Sequence, residues 1–195
     1  MTIIDKFLSE NDYTHPRGRK LVEKRAVILH WVGRAGQGAL AVWDYFEHEC
    51  AGKTYASAHY CIDLSGAVYR FIPDDDVAYH CGSSQIDPKS KKIYTDWARE
   101  VFGKYAEDPE RNSSNNAAIG IEMCALDTTE GNFTAETLQA AAELTASLCK
   151  TYQIPIERVG THKLVVGWKD CPRLWTLYPG KFEDFKREVS GLLNG

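Results

Sequence analysis

Apolar runs of strand length alternate along the chain with segments whose apolar residues recur at helical spacing. The continuous apolar run 26–31 is too short for a typical helix and predicts a strand covered on both faces. Residues 57–63 and 67–72 are rich in β-forming residues and flank a Leu-Ser-Gly turn, which predicts a hairpin. Apolar residues alternate through 117–124, so Glu122 projects from the interior of a predicted strand.

Four further segments show the spacing of amphipathic helices. They are residues 39–50, 93–105, 134–152 and 182–193. Thr134 can cap the third, and the last is expected to bury Phe182, Phe185, Val189 and Leu192. A short strand is predicted at 156–161. Strands interleaved with helices predict a single α/β domain, in which helices flank both faces of a central, mostly mixed β-sheet.

The pattern also predicts how the chain is organised around that sheet. Residues 1–25 are expected to form an N-terminal arm or helix on the outside of a domain spanning 26–195. The longest polar stretch, 83–116, is interpreted as an insertion whose short helix walls one side of a groove. Because long polar loops commonly carry binding residues, we expect this segment to influence specificity.

Composition narrows the classes of function. The 195 residues are 44% hydrophobic and 26% charged, as in an ordinary water-soluble domain that needs neither disulfides nor an oligomer to fold. The net charge of −4, without a run of Lys or Arg, argues against a nucleic-acid partner. No segment has the length of a membrane span and the first residues lack a secretion-signal pattern. We therefore expect no membrane partner and a cytoplasmic location at synthesis.

A candidate metal site emerges from three separated residues. His162 and Cys171 lie in one short segment and offer an imidazole and a thiolate, both of which zinc accepts. A catalytic zinc site usually has three protein ligands and an open position, and His30, at the end of the buried run, can supply the third. A hydrogen-bonded core histidine and an ordinary thiol remain alternatives on the residues alone.

Glu122 also calls for an explanation beyond packing. An unpaired carboxylate in a core strand costs several kcal/mol, so Glu122 needs either a partner or a chemical role. A salt bridge to a nearby Lys or Arg and a catalytic function are both open.

Four blocks of sequence follow one another in a distinctive order. They are Val27-Ile-Leu-His-Trp31, Ser57-Ala-His-Tyr60 with Asp63-Leu-Ser-Gly66, Ile119-Gly-Ile-Glu122, and His162 with Lys169-Asp-Cys-Pro172. Together they resemble the zinc-dependent N-acetylmuramoyl-L-alanine amidases of the second type, a family that includes phage endolysins, cytosolic recycling amidases and peptidoglycan-recognition proteins. The resemblance covers most of the chain. It implies that family's fold, and hydrolysis of the amide between the lactyl group of N-acetylmuramic acid and L-alanine in peptidoglycan or muropeptides.

Carried over to matching positions, the resemblance implies a role for seven residues. One zinc ion per chain would be bound by His30, His162 and Cys171. Glu122 would move the proton and Lys169 would stabilise the oxyanion. His80 and His59 would contact substrate, although for His59 a structural role is equally open.

Two departures from the family pattern refine these expectations. The phage-lysozyme branch carries a catalytic tyrosine immediately before the position of His59, where this chain has Ala58, so the glutamate mechanism is implied. Recycling amidases usually have aspartate in place of Cys171, which favours a phage or prophage endolysin, or an autolysin, acting at the cell wall after release. A cytosolic recycling amidase for soluble anhydro-muropeptides and a non-catalytic recognition module are the alternatives.

Overall fold

A six-stranded mixed β-sheet lies at the centre of the computed structural model, which describes residues 1–106 and 113–195. The strands are β1 (Ile3–Asp5), β2 (Ala26–Val32), β3 (Tyr60–Ile62), β4 (Val68–Arg70), β5 (Ala118–Cys124) and β6 (Val159–Thr161). Their spatial order is β1-β4-β3-β5-β2-β6, and neighbours are parallel except in the β3–β4 hairpin. The predicted α/β class and mixed sheet are confirmed.

Helices cover both faces of this sheet. Those of the described residues are α1 (Ala39–Asp44), α2 (Asp96–Phe102), α3 (Ala135–Tyr152), α4 (His162–Val166), α5 (Arg173–Leu177) and α6 (Pro179–Asn194). Thr134 caps α3 as predicted, because its side chain accepts a hydrogen bond from the Thr137 amide. Within the described part of the chain, none of the helices has the length and apolar character needed to cross a bilayer.

The two faces of the sheet differ in a way that creates a site. Val27 and Leu29 of β2 pack in a continuous apolar core that includes residues of α3, α5 and α6. The opposite face carries two separate apolar clusters, one with Ile28, α2 and α4, the other with Phe46 and Cys124. Since side chains alternate along a strand, His30 lies on this second face, between the two clusters. His30 therefore occupies a polar gap between the two apolar clusters on this face of the sheet.

The polar segment 83–116 contributes to the core as well as to the surface. Residues 107–112 of this predicted insertion lie outside the described residues. Its helix α2 packs on the sheet because Gly160 has no side chain, and a Cβ there would collide with the indole of Trp97. Phe102 at the end of α2 is fully buried. This helix is thus part of the second core layer.

Several elements differ from their predicted form. The predicted helix 39–50 divides into α1 and a π-helix, Tyr45–Cys50, and residues 156–158 form a 3-10 turn before β6. The N-terminal segment is an arm that ends the sheet with β1, and it contains no helix. Leu192 was expected to be buried but is 41% exposed, because the stripe of α6 continues from Val189 to Leu193 at the helical period.

Candidate active site

Three buried side chains of types that can bind a metal ion converge near the carboxyl ends of β2 and β6. His30 lies in β2, His162 directly follows β6, and Cys171 lies in the loop before α5. Their ligand atoms all lie within 4.8 Å of one another, and none of the three residues is more than 5% exposed. The structure therefore brings together the three residues predicted as zinc ligands.

Hydrogen bonds to backbone amides position His162 and Cys171 next to each other. The side chain of Thr161 accepts from the Leu164 amide, which starts α4 at His162 and orients it beside β2. The amide of Lys163 donates to the carbonyl of Cys171 at 2.9 Å, so the loop folds back over the first turn of α4. His162 and Cys171, two of the predicted ligands, are thereby held side by side.

The electrostatics of the cluster suit a cation. Burial, reinforced by neighbouring positive groups, lowers the pKa of His30 and His162 well below the ordinary value, so both imidazoles are neutral. Burial and the nearby Glu122 raise the pKa of the Cys171 thiol. Neutral imidazole is the metal-binding form of histidine, and a bound dication would deprotonate the thiol. This nitrogen and sulfur donor set fits zinc rather than magnesium or calcium.

Glu122 lies opposite His30 in the β2–β5 register. Its Oε2 atom is buried and has no hydrogen-bond partner among the described residues, nor does its carboxylate form an ion pair with any of them. Burial raises the pKa of Glu122 to about 8, against a smaller opposing effect of Lys169. Of the two explanations offered by the sequence, the salt bridge is not present in the described structure.

The raised pKa of Glu122 predicts a pH-dependent stability of the metal-free protein. Between the ordinary pKa of 4.5 and about 8, the folded protein holds a proton that the unfolded chain releases. The free energy of unfolding should therefore fall as the pH rises from 5 to 8, by on the order of 3 kcal/mol. In Glu122→Gln this fall should shrink. Urea unfolding of both proteins across that pH range, with chelator present, measures the difference, and identical pH profiles would contradict the prediction.

His80 contacts a predicted ligand directly. Its Nε2 lies 3.2 Å from the Ala118 carbonyl, which can only accept, so Nε2 carries the proton. Its Nδ1 then accepts from His30 Nε2–H at 3.0 Å, which leaves His30 Nδ1 unprotonated, 3.7 Å from Cys171 Sγ. Gly120 makes room for this ring, since a Cβ there would lie 2.5 Å from His80 Cγ.

His59 occupies a different environment. It is fully buried, its Nε2 donates to the Asp76 carbonyl at 2.9 Å, and its Nδ1 accepts from the Gly120 amide at 3.0 Å. Burial lowers its pKa to about 4, so the ring is neutral. The predicted substrate contact has no free ring nitrogen in this position. The alternative, a structural histidine that joins β5 to the loop at Asp76, fits the geometry.

A cavity of about 840 Å³ connects the cluster with the N-terminal arm. One part is lined by His30, His80, Glu122, His162, Lys169 and Cys171. Another part is lined by Arg17, Arg19, Tyr55 and Tyr79, which the sequence analysis did not single out. A pair of arginines in a polar arm looks like solvated surface in a sequence. Only the packing of the arm across the sheet shows that these side chains reach the cavity.

The sequence of residues 20–174 matches the profile of N-acetylmuramoyl-L-alanine amidases. That range includes β2, β5 and β6 and all three residues of the buried cluster. The chain belongs to the N-acetylmuramoyl-L-alanine amidase family. The resemblance carried by the four sequence blocks is confirmed.

Individual amidases show how much of the chain is shared. A probable N-acetylmuramoyl-L-alanine amidase of Bacillus licheniformis is 34% identical over 192 residues, which are 98% of this chain and 48% of that protein. The N-acetylmuramoyl-L-alanine amidase CwlL of the same organism is 30% identical over 193 residues, 98% and 47%. The chain thus spans about half the length of the curated amidases it matches.

A solved structure supports the fold independently. A mutant endolysin from Bacillus subtilis superposes with a TM-score of 0.66 at 23% identity, covering 96% of this chain and 98% of that one. The amidase fold therefore extends over nearly the whole chain, including the N-terminal arm.

Proposed function

We propose that the chain is a zinc-dependent hydrolase of the amide between the lactyl group of N-acetylmuramic acid and L-alanine in peptidoglycan, serving as an endolysin of a phage or prophage, or as an autolysin. One observation carries the proposal: Glu122, whose buried Oε2 atom has no hydrogen-bond partner among the described residues, lines one accessible cavity together with His30, His162 and Cys171. Family membership supplies the substrate class. A buried acid beside three metal-binding groups is costly in a purely structural site.

His30, His162 and Cys171 would hold the metal. Three protein ligands leave one position open, as in catalytic rather than structural zinc sites. Zinc bound there supplies a Lewis acid for the amide carbonyl and lowers the pKa of water to about 7. The proton transfer and the stabilisation of negative charge then depend on the side chains around the open position.

Glu122 is the proposed proton carrier. Its carboxylate accepts a proton from the attacking water and donates it to the alanine nitrogen as the amide bond breaks. Burial raises the pKa of Glu122 to about 8 in the metal-free protein, and a bound dication would lower it towards neutral pH. A carboxyl group that titrates near neutral pH can both accept and release a proton in this cycle. Among the described residues, no basic side chain forms an ion pair with this carboxylate.

Lys169 is the proposed oxyanion partner. Its ammonium group lies in an exposed part of the cavity wall, and its charge lowers the pKa of His30, Glu122 and His162. A cation that acts on all three groups is well placed to stabilise the negative charge that develops on the carbonyl oxygen.

Digestion of purified sacculi tests the proposal. Zinc-loaded protein should release alanine amino termini from intact sacculi, chelation should abolish the release, and added zinc should restore it. Digestion of soluble anhydro-muropeptides in parallel distinguishes the endolysin from the recycling alternative. New reducing sugar ends without amino termini, or binding without any cleavage, would overturn the amidase assignment.

The contact between His80 and His30 predicts an effect on metal affinity. His80→Ala removes the acceptor that fixes the His30 tautomer, and loss of such a partner typically weakens metal binding by about 10–100-fold. Competition with a chromophoric chelator measures zinc affinity directly. His48→Ala, at an exposed position of the π-helix, is the control. Unchanged affinity with a higher KM would instead make His80 the substrate contact that the sequence suggested.

A further inference from the structure

Two hydrogen bonds orient the exposed guanidinium of Arg19 at the arm end of the cavity. Its Nη1 donates to Tyr79 Oη at 2.8 Å and its Nη2 donates to Asn116 Oδ1 at 3.0 Å. The guanidinium carbon also lies over the Tyr79 ring, 5.7 Å from its centroid. Arginine has five N–H donors, so these two bonds leave others for a ligand in the cavity.

The backbone around Arg19 is held as firmly as its side chain. The Arg19 carbonyl accepts from the Val77 amide at 3.0 Å, and the Leu21 amide donates to the Asp75 carbonyl at 2.8 Å. Lys20 forms an ion pair with Asp76. Arg19 is therefore part of a ladder between the arm and the central domain, and its position does not depend on a ligand.

A series of contacts links Arg19 to the proposed reaction centre. Its partners Tyr79 and Asn116 are the sequence neighbours of His80 and Asn115, and the His80 amide donates to Asn115 Oδ1 at 3.0 Å. His80 in turn contacts His30. Arg19 and the cluster residues His30, His162 and Cys171 line the same cavity, so a stem peptide that extends from the scissile amide along this cavity can meet the guanidinium.

We propose that Arg19, oriented by Tyr79 and Asn116, binds a free carboxylate of the peptidoglycan stem peptide. This inference rests on the proposed function. Beyond L-alanine, stem peptides carry an α-carboxylate on the second residue, either free or amidated, and a further carboxylate on the third when that residue is diaminopimelate. The fork of N–H groups in arginine matches a carboxylate, and Arg17 adds a second positive charge to the same wall, against the single negative charge of Asp12. The N-acetylmuramic acid side carries no comparable charge, so this end of the cavity selects the peptide.

Kinetics on matched muropeptides test the assignment. The substrates are N-acetylmuramoyl tripeptides whose C-terminal α-carboxyl group is amidated, with a free or an amidated second residue, each with diaminopimelate or lysine third. Wild type should have a KM about tenfold to a hundredfold lower for the substrate with the recognised carboxylate, at similar kcat. Arg19→Gln should lose this preference, and Arg19→Lys should keep only part of it. Arg187→Gln, on the exposed face of α6, should behave as wild type.

The outcomes separate this inference from the proposed function. Cleavage of all four substrates with no discrimination by wild type, or an equal loss on all four in Arg19→Gln, would overturn the carboxylate site while leaving the amidase intact. A preference that follows the second or the third residue identifies which carboxylate is bound. If no substrate is cleaved, the amidase proposal fails. Titration of Glu122→Ala with the same muropeptides should show the same preference in Kd, without any turnover.

Discussion

Glu122→Gln is expected to lower kcat on sacculi by about 10²–10⁴-fold while zinc stays bound. Glutamine has nearly the same shape but cannot accept the proton of the attacking water. The Glu122 carboxylate is not among the three groups that converge as predicted metal ligands, so the metal site should remain intact in Glu122→Gln. Zinc content per chain and kcat, measured on the same protein, check both halves of the prediction.

A matched control makes this result specific. Glu188→Gln removes the same charge from an exposed position on α6 and should leave kcat unchanged. If Glu122→Gln lost zinc together with activity, the carboxylate would be part of the metal site. If kcat fell less than tenfold, another group would have to move the proton.

Cys171→Ser is expected to have the second large effect, on metal binding first and on activity as a consequence. Serine replaces the thiolate by a weak zinc ligand and leaves only His30 and His162. The zinc affinity should fall by more than the roughly 10–100-fold that removal of a supporting residue such as His80 causes. Chelator competition measures the affinity, and sacculus digestion at saturating zinc measures the remaining activity.

Two companion variants define the role of Cys171 further. Cys171→Asp restores an anionic zinc ligand, of the kind that the resemblance assigns to recycling amidases, and should recover part of the affinity. Cys149→Ser alters a buried cysteine in α3 and should not change zinc binding. Full zinc affinity in Cys171→Ser would show that the thiol is not a ligand.

The cluster of predicted ligands could be anticipated because the strands that carry or precede its residues are encoded by local hydrophobic patterns. The run 26–31 and the alternation in 117–124 are strong strand signals, and both strands appear with nearly the predicted bounds. Parallel strands end at the same edge of a sheet, so residues near their carboxyl ends meet there. What the sequence could not give is the register that places His30 opposite Glu122.

Other features depend on contacts between distant parts of the chain. The orientation of Arg19 depends on Tyr79 and Asn116, which lie far from it in sequence. His59 has family-like surroundings in sequence, yet both ring nitrogens bond to backbone groups that only the folded chain brings near. The partial burial of Leu193 and the exposure of Leu192 depend on where α6 leaves the core.

The position of the arm has a consequence for how such enzymes diversify. Arg17 and Arg19 lie in this arm and line the cavity, whereas the groups proposed to perform hydrolysis lie in the central domain. Under the proposed assignments, substitutions at the two arginines would alter which peptide is bound while the residues that carry out the chemistry stay the same.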